Sequence, residues 1–235
     1  MRYHVKVIYN SQSPRPSLSH PNQVLYTDQV GPHPKLLSVV KKHLKNPWQK
    51  PCSSHTEHAF NTFLEAQKEN KLPLILDSFC GTGMSTARIA EIYPTHFIVG
   101  IDQSAHRLAR HQTTNQENYI LIRAEAEGFW KCLAENGIKI FKHWILYPNP
   151  WPKASQLRRR VHAHGAFPLL ERLGGHLEMR TNWAIYAKEF SEASELIGLK
   201  GHLSEFTPEP PLTLFERKYY GGGQLLWRFR GKFSS

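Results

Sequence analysis

The residues best suited to chemistry stand in a short succession: Asp77, the turn Gly81-Thr82-Gly83, Asp102 and Glu125. Each follows a short apolar stretch (LPLILDS, HFIVGID and YILIRA). A Gly-x-Gly turn lets the backbone pass close to a ligand where a Cβ would clash. Taken alone it is commonly just a tight turn. An acid about 20 residues beyond such a turn can accept both hydroxyls of a ribose, and Asp102 lies 25 positions after Asp77. Glu125 is placed to receive an adenine amino group. Each acid also has a plainer role: a strand-end Asp often caps a helix, and an acid near a helix N-terminus suits the dipole. Three of them in order, each at a strand end, are far more specific than one.

A second constellation follows the stretch FKHWILYPN: Tyr147-Pro148-Asn149-Pro150-Trp151-Pro152-Lys153. Its three prolines dictate a stiff, extended loop with few backbone donors. Asn149 would face a reacting group, and Trp151 could stack on a base or simply pack. Arg158, Arg159 and Arg160 come next; with Lys153 they read as phosphate contacts, or else as a solvated face.

These residues need a scaffold that brings strand ends to one edge. From residue 73 onward, apolar strands alternate with helical segments at 83–94, 104–114, 126–136, 154–173 (bent at Pro168) and 183–197. Such alternation implies a mostly parallel sheet covered on both faces, with ligands beyond the carboxyl ends of its strands. GGHLEMRT reads as the fifth strand. TLFERKYY and QLLWRFRGK read as a closing antiparallel hairpin turning at Gly221-Gly222-Gly223. Upstream, residues 10–34 read as loop or arm. Residues 34–45 read as a basic amphipathic helix presenting Leu37, Val40 and Leu44, and residues 56–70 as another helix. Residues 1–71 are thus expected to form an extension packing on a main domain at 72–235.

The glycine turn with its three strand-end acids resembles the class I S-adenosylmethionine-dependent methyltransferases, a Rossmann-like α/β fold with a seven-stranded sheet. A dehydrogenase fingerprint is incomplete, because Thr86 stands at its third glycine position. The proline-tryptophan loop with its arginine run resembles the F/Y-P-D-P-W-x-K…K-R-R motif of the tRNA (guanine-N7-)-methyltransferase family. Arg180-Thr181-Asn182 with Tyr186 resembles that family's R-T-D…Y, and Thr213-Leu214-Phe215-Glu216-Arg217 its T-x-F-E-x-R. The likeness runs through residues 72–230 and marks a divergent member. Asn149 and Asn182 replace the family's aspartates, Gln156 a histidine, and Phe79 the first glycine of the cofactor turn.

The resemblance implies S-adenosylmethionine bound by Asp77, Phe79, Gly81, Gly83, Asp102, Gln103, Glu125 and Ala126. It implies a substrate site formed by Asn149, Asn182, Thr213 and Glu216, with tRNA held by Trp151, Lys153, Arg158, Arg159, Arg160 and Arg217. Guanine N7 offers an in-plane lone pair, so its attack needs no general base; positioning and nearby oxygens supply the catalysis. Glu216 is expected to read the guanine N1–H and N2–H edge. Two alternatives stay open. Asn-Pro-Trp is close to the N-P-P-Y/F/W of methyltransferases acting on exocyclic amines, and the four departures suit a cofactor- or RNA-binding protein without turnover.

Charge points to the same kind of partner. The 235 residues carry 30 Lys and Arg against 19 Asp and Glu, a formal charge of +11. The excess lies in residues 1–60 (eight basic, two acidic) and 151–235 (thirteen basic, eight acidic), around a balanced middle. Clustered cations suit a polyanion such as tRNA. No apolar run is long enough to span a bilayer, and the opening MRYHVKVIYN lacks the apolar core of a secretory signal. Cys52, Cys80 and Cys132 show neither zinc spacing nor a disulfide framework, which fits a reduced cytoplasm. The 14 histidines suggest no metal site. Monomer and homodimer are equally compatible with the sequence.

Overall fold

The computed structural model describes residues 27–234. Most of the segment read as an arm, and much of the first basic stretch, lies outside the described residues. Seven strands form the frame: β1 (Leu74–Ser78), β2 (Phe97–Asp102), β3 (Tyr119–Arg123), β4 (Lys142–Leu146), β5 (His176–Thr181), β6 (Leu199–Glu205) and β7 (Trp227–Phe233). They make one sheet in the order β3-β2-β1-β4-β5-β7-β6. The first five run parallel, and β7 is antiparallel to both β5 and β6. The chain reverses its winding between β1 and β4, so the ends of β1, β2, β3 and β4 open on one edge.

Helices α1 (Leu36–Lys45), α2 (Ser54–Glu69), α3 (Met84–Ile92), α4 (Ala105–Leu108), α5 (Ala126–Glu135), α6 (Leu169–Leu173), α7 (Ala184–Leu196) and α8 (Leu214–Gly221) dress the sheet. Strand side chains alternate between faces, and the core divides accordingly. One face carries Leu76, Val99, Ile145, Met179 and Phe229, packed with Phe63, Phe129, Leu170 and Phe190 of α2, α5, α6 and α7. Leu36 and Val40 of α1 join the same cluster, so described residues preceding β1 share the main core. The opposite face carries Ile75, Ile98 and Trp144 against Ala87, Ile89 and Ala90 of α3.

Several elements differ from the sequence expectation, each for a physical reason. In α1 the buried side chains are Leu36 and Val40, while Leu37 and Leu44 are exposed. The helix at 104–114 stops after one turn. His111 then turns back, its ring Nδ1 reaching the Thr82 carbonyl at 2.9 Å and Nε2 the Tyr119 hydroxyl at 2.8 Å. The long helix at 154–173 is replaced by 3-10 turns at Ala154–Arg159 and Val161–Ala163, then α6. Gly165 makes room there for Trp48, whose ring lies 2.7 Å from where a Cβ would sit.

The closing hairpin pairs β7 with β6, which the sequence reading missed. TLFERKYY is a helix, not a strand: the Thr213 hydroxyl caps α8 by accepting the Glu216 N–H at 3.0 Å. Cys52 and Cys132, far apart in sequence, bring their free sulfurs to 3.2 Å. Among the described residues no helix is long and apolar enough to cross a membrane.

One buried carboxylate ties distant segments together. Glu189 of α7 accepts from Arg160 Nη1 at 2.5 Å, His162 Nε2 at 2.9 Å, Gln29 Nε2 at 3.1 Å and the His33 N–H at 2.8 Å. Burial alone would raise its pKa. The hydrogen bonds from His162 and Arg160 outweigh that and hold it at about 2. A carboxyl depressed from its ordinary 4.5 stabilises the fold above pH 4.5 and loses that contribution as pH falls toward 2. Glu189→Ala is therefore expected to cost about 3–5 kcal/mol at pH 7 in urea denaturation, the scale for breaking a buried ion pair. The gap from wild type should narrow in acid; a gap that stayed constant down to pH 3 would contradict this account.

Candidate active site

The glycine turn leaves β1 with Phe79, Gly81 and Gly83 all at positive φ, 65°, 64° and 76°. Glycine adopts such angles freely. Phe79 does so at a cost of order 1 kcal/mol, and its ring packs edge-on to the buried Trp130, centroids 6.0 Å apart. Gly100 of β2 is required by close approach, since a Cβ there would lie 2.3 Å from Thr86 Oγ1.

Asp77 is fully buried at the end of β1. Its Oδ2 accepts from the Ser85 and Thr86 hydroxyls, each at 2.7 Å, while Oδ1 has no hydrogen-bond partner. Burial raises its pKa to about 6, against the lowering effect of the two hydroxyls. Asp102 ends β2. Its Oδ2 accepts the Gly81 N–H at 3.0 Å, and Oδ1 takes the Ser104 N–H at 2.8 Å and Arg107 Nη2 at 3.0 Å. The acid thus braces the glycine turn and the start of α4, whose first turn Ser104 caps. Glu125 precedes α5, with Ala126 buried behind it; its partly exposed carboxylate meets Lys50 Nζ at 3.3 Å. Gln103 is exposed between Asp102 and α4. Because β3, β2 and β1 are adjacent, these groups line one edge.

The proline-tryptophan loop continues from β4 on the other side of β1. Tyr147, at φ 52°, donates its N–H to the Arg180 carbonyl at 2.8 Å. Asn149 is exposed, and its Oδ1 accepts the Trp151 N–H at 3.4 Å. Arg160 donates from Nε and Nη2 to the Trp151 carbonyl at 3.1 and 3.0 Å and from Nη2 to that of Lys153 at 3.3 Å. Residues 27–28 close the same loop: Thr27 Oγ1 donates to the Pro152 carbonyl at 2.7 Å, and Asp28 Oδ1 accepts the Ala154 N–H at 2.8 Å. Gln156 folds back onto the Lys153 N–H.

The arginine run therefore divides. Arg158 and Arg159 are exposed, and Arg159 lies over the Trp151 ring at 4.8 Å. Arg160 is buried and paired with Glu189, which corrects its expected role as a phosphate contact. Lys153 and Arg217 are exposed.

The structure also gathers Arg180, Asn182, Thr213 and Glu216 beside this loop. Glu216 is completely buried on α8: Oε1 accepts from Arg180 Nη1 at 2.9 Å and Oε2 from the Leu212 N–H at 2.6 Å. Both oxygens face protein groups, so its expected part as the reader of a guanine edge gives way here to one of holding Arg180 and α8. Asn182 donates to Gln224 Oε1 at 2.8 Å.

Three aromatic rings whose meeting the sequence reading did not foresee cluster at this place, Phe215 stacked against both Tyr147 and Tyr219. Tyr147 lies 6.2 Å from Phe215 and 6.1 Å from Tyr219, which are 5.7 Å from each other; Phe215 is exposed. The Thr-x-x-Glu capping signature at 213–216 could have revealed them, because it puts Phe215 and Tyr219 one helical turn apart.

Comparison with known proteins agrees with this arrangement. Residues 71–228 match the family model described as "Putative methyltransferase". The chain belongs to this methyltransferase family. A protein of Nocardioides sp. named tRNA (guanine-N(7)-)-methyltransferase is 32% identical over 175 residues, covering 69% of this chain and 70% of that one. Proteins of the same name from Neisseria gonorrhoeae and Salmonella typhi are 28% and 26% identical, with 73% and 70% of their lengths covered. In fold, the chain is similar to the crystal structure of the 16S rRNA methyltransferase KamB, at TM-score 0.57 and 15% identity over 74% of this chain and 94% of that one. It is also similar to a 16S rRNA (adenine(1408)-N(1))-methyltransferase from Catenulisporales acidiphilia, at TM-score 0.52 and 14% identity over 75% and 92%. The architecture is that of the class I methyltransferases, as the strand-end motifs imply.

The methyltransferase's buried Asp77 yields a signed prediction. A carboxyl whose pKa rises from 3.8 to about 6 on folding opposes folding above pH 6, and that penalty fades as pH falls toward 4. Asp77→Asn should stabilise the ligand-free protein by about 1–3 kcal/mol at pH 8. At pH 4 thermal melts of variant and wild type should nearly coincide.

Proposed function

We propose that this methyltransferase transfers a methyl group from S-adenosylmethionine to guanine N7 in tRNA. The observation that carries the reading is one edge of the sheet. There the glycine turn and three strand-end acids meet the Pro-Asn-Pro-Trp loop and an aromatic stack. The similarity to proteins named for guanine-N7 methylation supports the choice of base.

The residues present fit the cofactor. Asp77 Oδ1, buried without a partner, is an acceptor waiting for a donor. Beside Gly81 there is open space where a side chain would stand. Asp102, on releasing the partly exposed Arg107, would receive the ribose hydroxyls, and Glu125 the adenine amino group; Gly81, Gly83, Phe79, Gln103 and Ala126 would line the cradle. Bound there, S-adenosylmethionine supplies an electrophilic methyl group on a positively charged sulfur.

This chain's own residues then have to position a base. N7 needs no proton removed, so a site without a poised general base is adequate. Tyr147, Phe215 and Tyr219 offer a stacking surface for the guanine ring. Asn149, exposed at the loop tip, would offer its amide to the bound base. Asn182 and Thr213 shape the far wall, while Glu216 keeps Arg180 and α8 in register. Lys153, Arg158, Arg159 and Arg217, all exposed, suit the phosphates around the target, and Trp151 with Arg159 gives the loop a cationic, aromatic surface.

Incubating the purified protein with bulk tRNA and methyl-labelled S-adenosylmethionine, then analysing nucleosides, should yield 7-methylguanosine. Label in an exocyclic N-methylated base would replace this reading with amine methylation. Tight tRNA binding with no label at all would mark a binding protein. The methylated purine gains positive charge, which a carboxylate at position 149 would favour. Asn149→Asp should raise kcat by roughly tenfold, below the roughly hundredfold or more of a fully enclosed electrostatic group because residue 149 is exposed.

A further inference from the structure

The two faces of the outer sheet are dressed very differently. Helix α7 packs on one, through Ala187 and Phe190. On the other, β5, β7 and β6 present His176, Glu178 and Arg180; Arg228, Arg230 and Lys232; Lys200, His202 and Ser204, as strand alternation and register dictate. None of these nine belongs to either apolar cluster. Lys200, His202, Arg230 and Lys232 are exposed.

The charge balance on this face is strongly positive. Glu178 serves Lys142 at 3.4 Å, Arg180 at 2.7 Å and Arg230 at 2.9 Å, while Glu216 serves Arg180 at 2.9 Å. Among the described residues Arg228, Lys200 and Lys232 have no ion-pair partner. Arg228 Nε, buried, also lacks a hydrogen-bond partner. Its guanidinium lies 5.1 Å from the Phe206 ring, which Arg180 approaches at 4.9 Å. Burial, with Arg230 alongside, lowers the pKa of Arg228. Crowded cations with so few counter-charges are relieved by an anion laid across them.

The spacing specifies the anion. Residues i and i+2 of a strand are about 6.6 Å apart, so Arg228, Arg230 and Lys232 form an evenly spaced cationic ladder. Nucleic-acid backbones carry one charge per nucleotide in a similarly regular file. At the end of β7 remote from the methyl-transfer edge, the ladder reaches a cleft lined by Tyr93, Phe141, Lys142, His176, Glu178 and Arg230. Phe141 is 42% exposed there and sits 4.4 Å from His96 and 5.9 Å from His176, ring to ring. Aromatic surfaces beside cations are what unpaired bases stack on.

We propose that the open face of β5, β7 and β6 is a second RNA-binding surface. A phosphodiester tract of the substrate tRNA, distant from the methylated base, lies along Arg228, Arg230, Lys232 and Lys200 and delivers one unpaired base to the Phe141 cleft. The proposal rests on the tRNA reading above, and it places the specificity for folded RNA partly on the side of the sheet away from the chemistry.

The test is fluorescence-anisotropy binding of labelled bulk tRNA across a salt series, with cofactor binding measured on every variant as a check of folding. The variant K200Q/R230Q/K232Q should bind tRNA roughly tenfold or more weakly, with its log–log salt slope reduced by about 2–3, one per phosphate contact removed. Its KM for tRNA should rise in step. Should Arg230→Gln disturb Glu178 and the fold, K200Q/K232Q tests the same face without touching an ion pair. Phe141→Ala should weaken RNA binding and leave binding of inorganic polyphosphate, which has no bases, unchanged.

Wild-type affinity and slope in the triple variant, with methylation intact, would overturn the surface and leave the methylation reading standing. A Phe141→Ala variant that binds RNA normally would remove the base cleft. Salt-sensitive binding that needs this face, without 7-methylguanosine in the product, would sink the choice of base and keep the surface. No tRNA binding by the wild type would end both.

Discussion

Arg180 is a charge that water scarcely reaches, and much of the site is arranged around keeping it paired. A guanidinium this buried is tolerable only with its donors satisfied by opposite charge. Glu178, two residues earlier on the same strand, takes Nε at 2.8 Å, and Glu216 takes Nη1 at 2.9 Å. The second pairing has architectural consequences. Glu216 can reach Arg180 only if the chain at 213–221 is a helix seated beside the end of β5, and the Thr213 cap with the Leu212 N–H bond holds it there. Once α8 is seated, Phe215 and Tyr219 arrive next to Tyr147, and Asn182 meets Gln224. The Arg180 carbonyl also takes the Tyr147 N–H, so backbone and side chain of one residue fix two walls of the site.

The stiff loop after β4 is held on a comparable principle. Prolines limit what it can do alone, and Arg160 decides which conformation it keeps, by donating to the Trp151 and Lys153 carbonyls. Since Arg160 is itself anchored on Glu189, the loop tip inherits the rigidity of α7. Asn149 and the flanking cations are thereby presented on a fixed support, as a reaction that relies on positioning demands. The cofactor edge is built with more give: Asp77 keeps an unpaired oxygen, and Asp102 shares its oxygens between backbone and Arg107.

How much of this was legible in the sequence follows from which forces leave a local trace. Parallel strands buried on both faces leave continuous apolar runs, so β1 to β5 and their acid-bearing ends could be read directly. Strand β6 escaped because one of its faces is open: LKGHLSE shows apolar residues only at Leu199 and Leu203. Helix α8 reads as a strand on the strength of its aromatic residues, although Thr213 and Glu216 carry a capping signal that outranks such a preference. The 154–173 segment has helix-like composition, yet tertiary bonds from Arg160 pull it into 3-10 turns. The three arginines at 158–160 are identical in type, and only the turn geometry separates two exposed cations from one buried anchor. Nothing local marks Glu189, since its partners are set by the fold.

The distance along the chain between those partners bears on synthesis. Glu189 and Gln29 are 160 residues apart, and Arg160 lies 29 before Glu189. A growing chain emerges with its N-terminal part first. The donors at Gln29 and His33 must therefore wait for Glu189 while the first five strands of the sheet and the proline-tryptophan loop are made. The proline-tryptophan loop is anchored when α7 leaves the ribosome and supplies Glu189, the acceptor these donors share, and the wall built on α8 follows later still. A cofactor cradle formed wholly from residues before 130 can be complete well before that moment. The two halves of the site thus mature in sequence, the glycine-turn side early and the side built on the proline-tryptophan loop and α8 late.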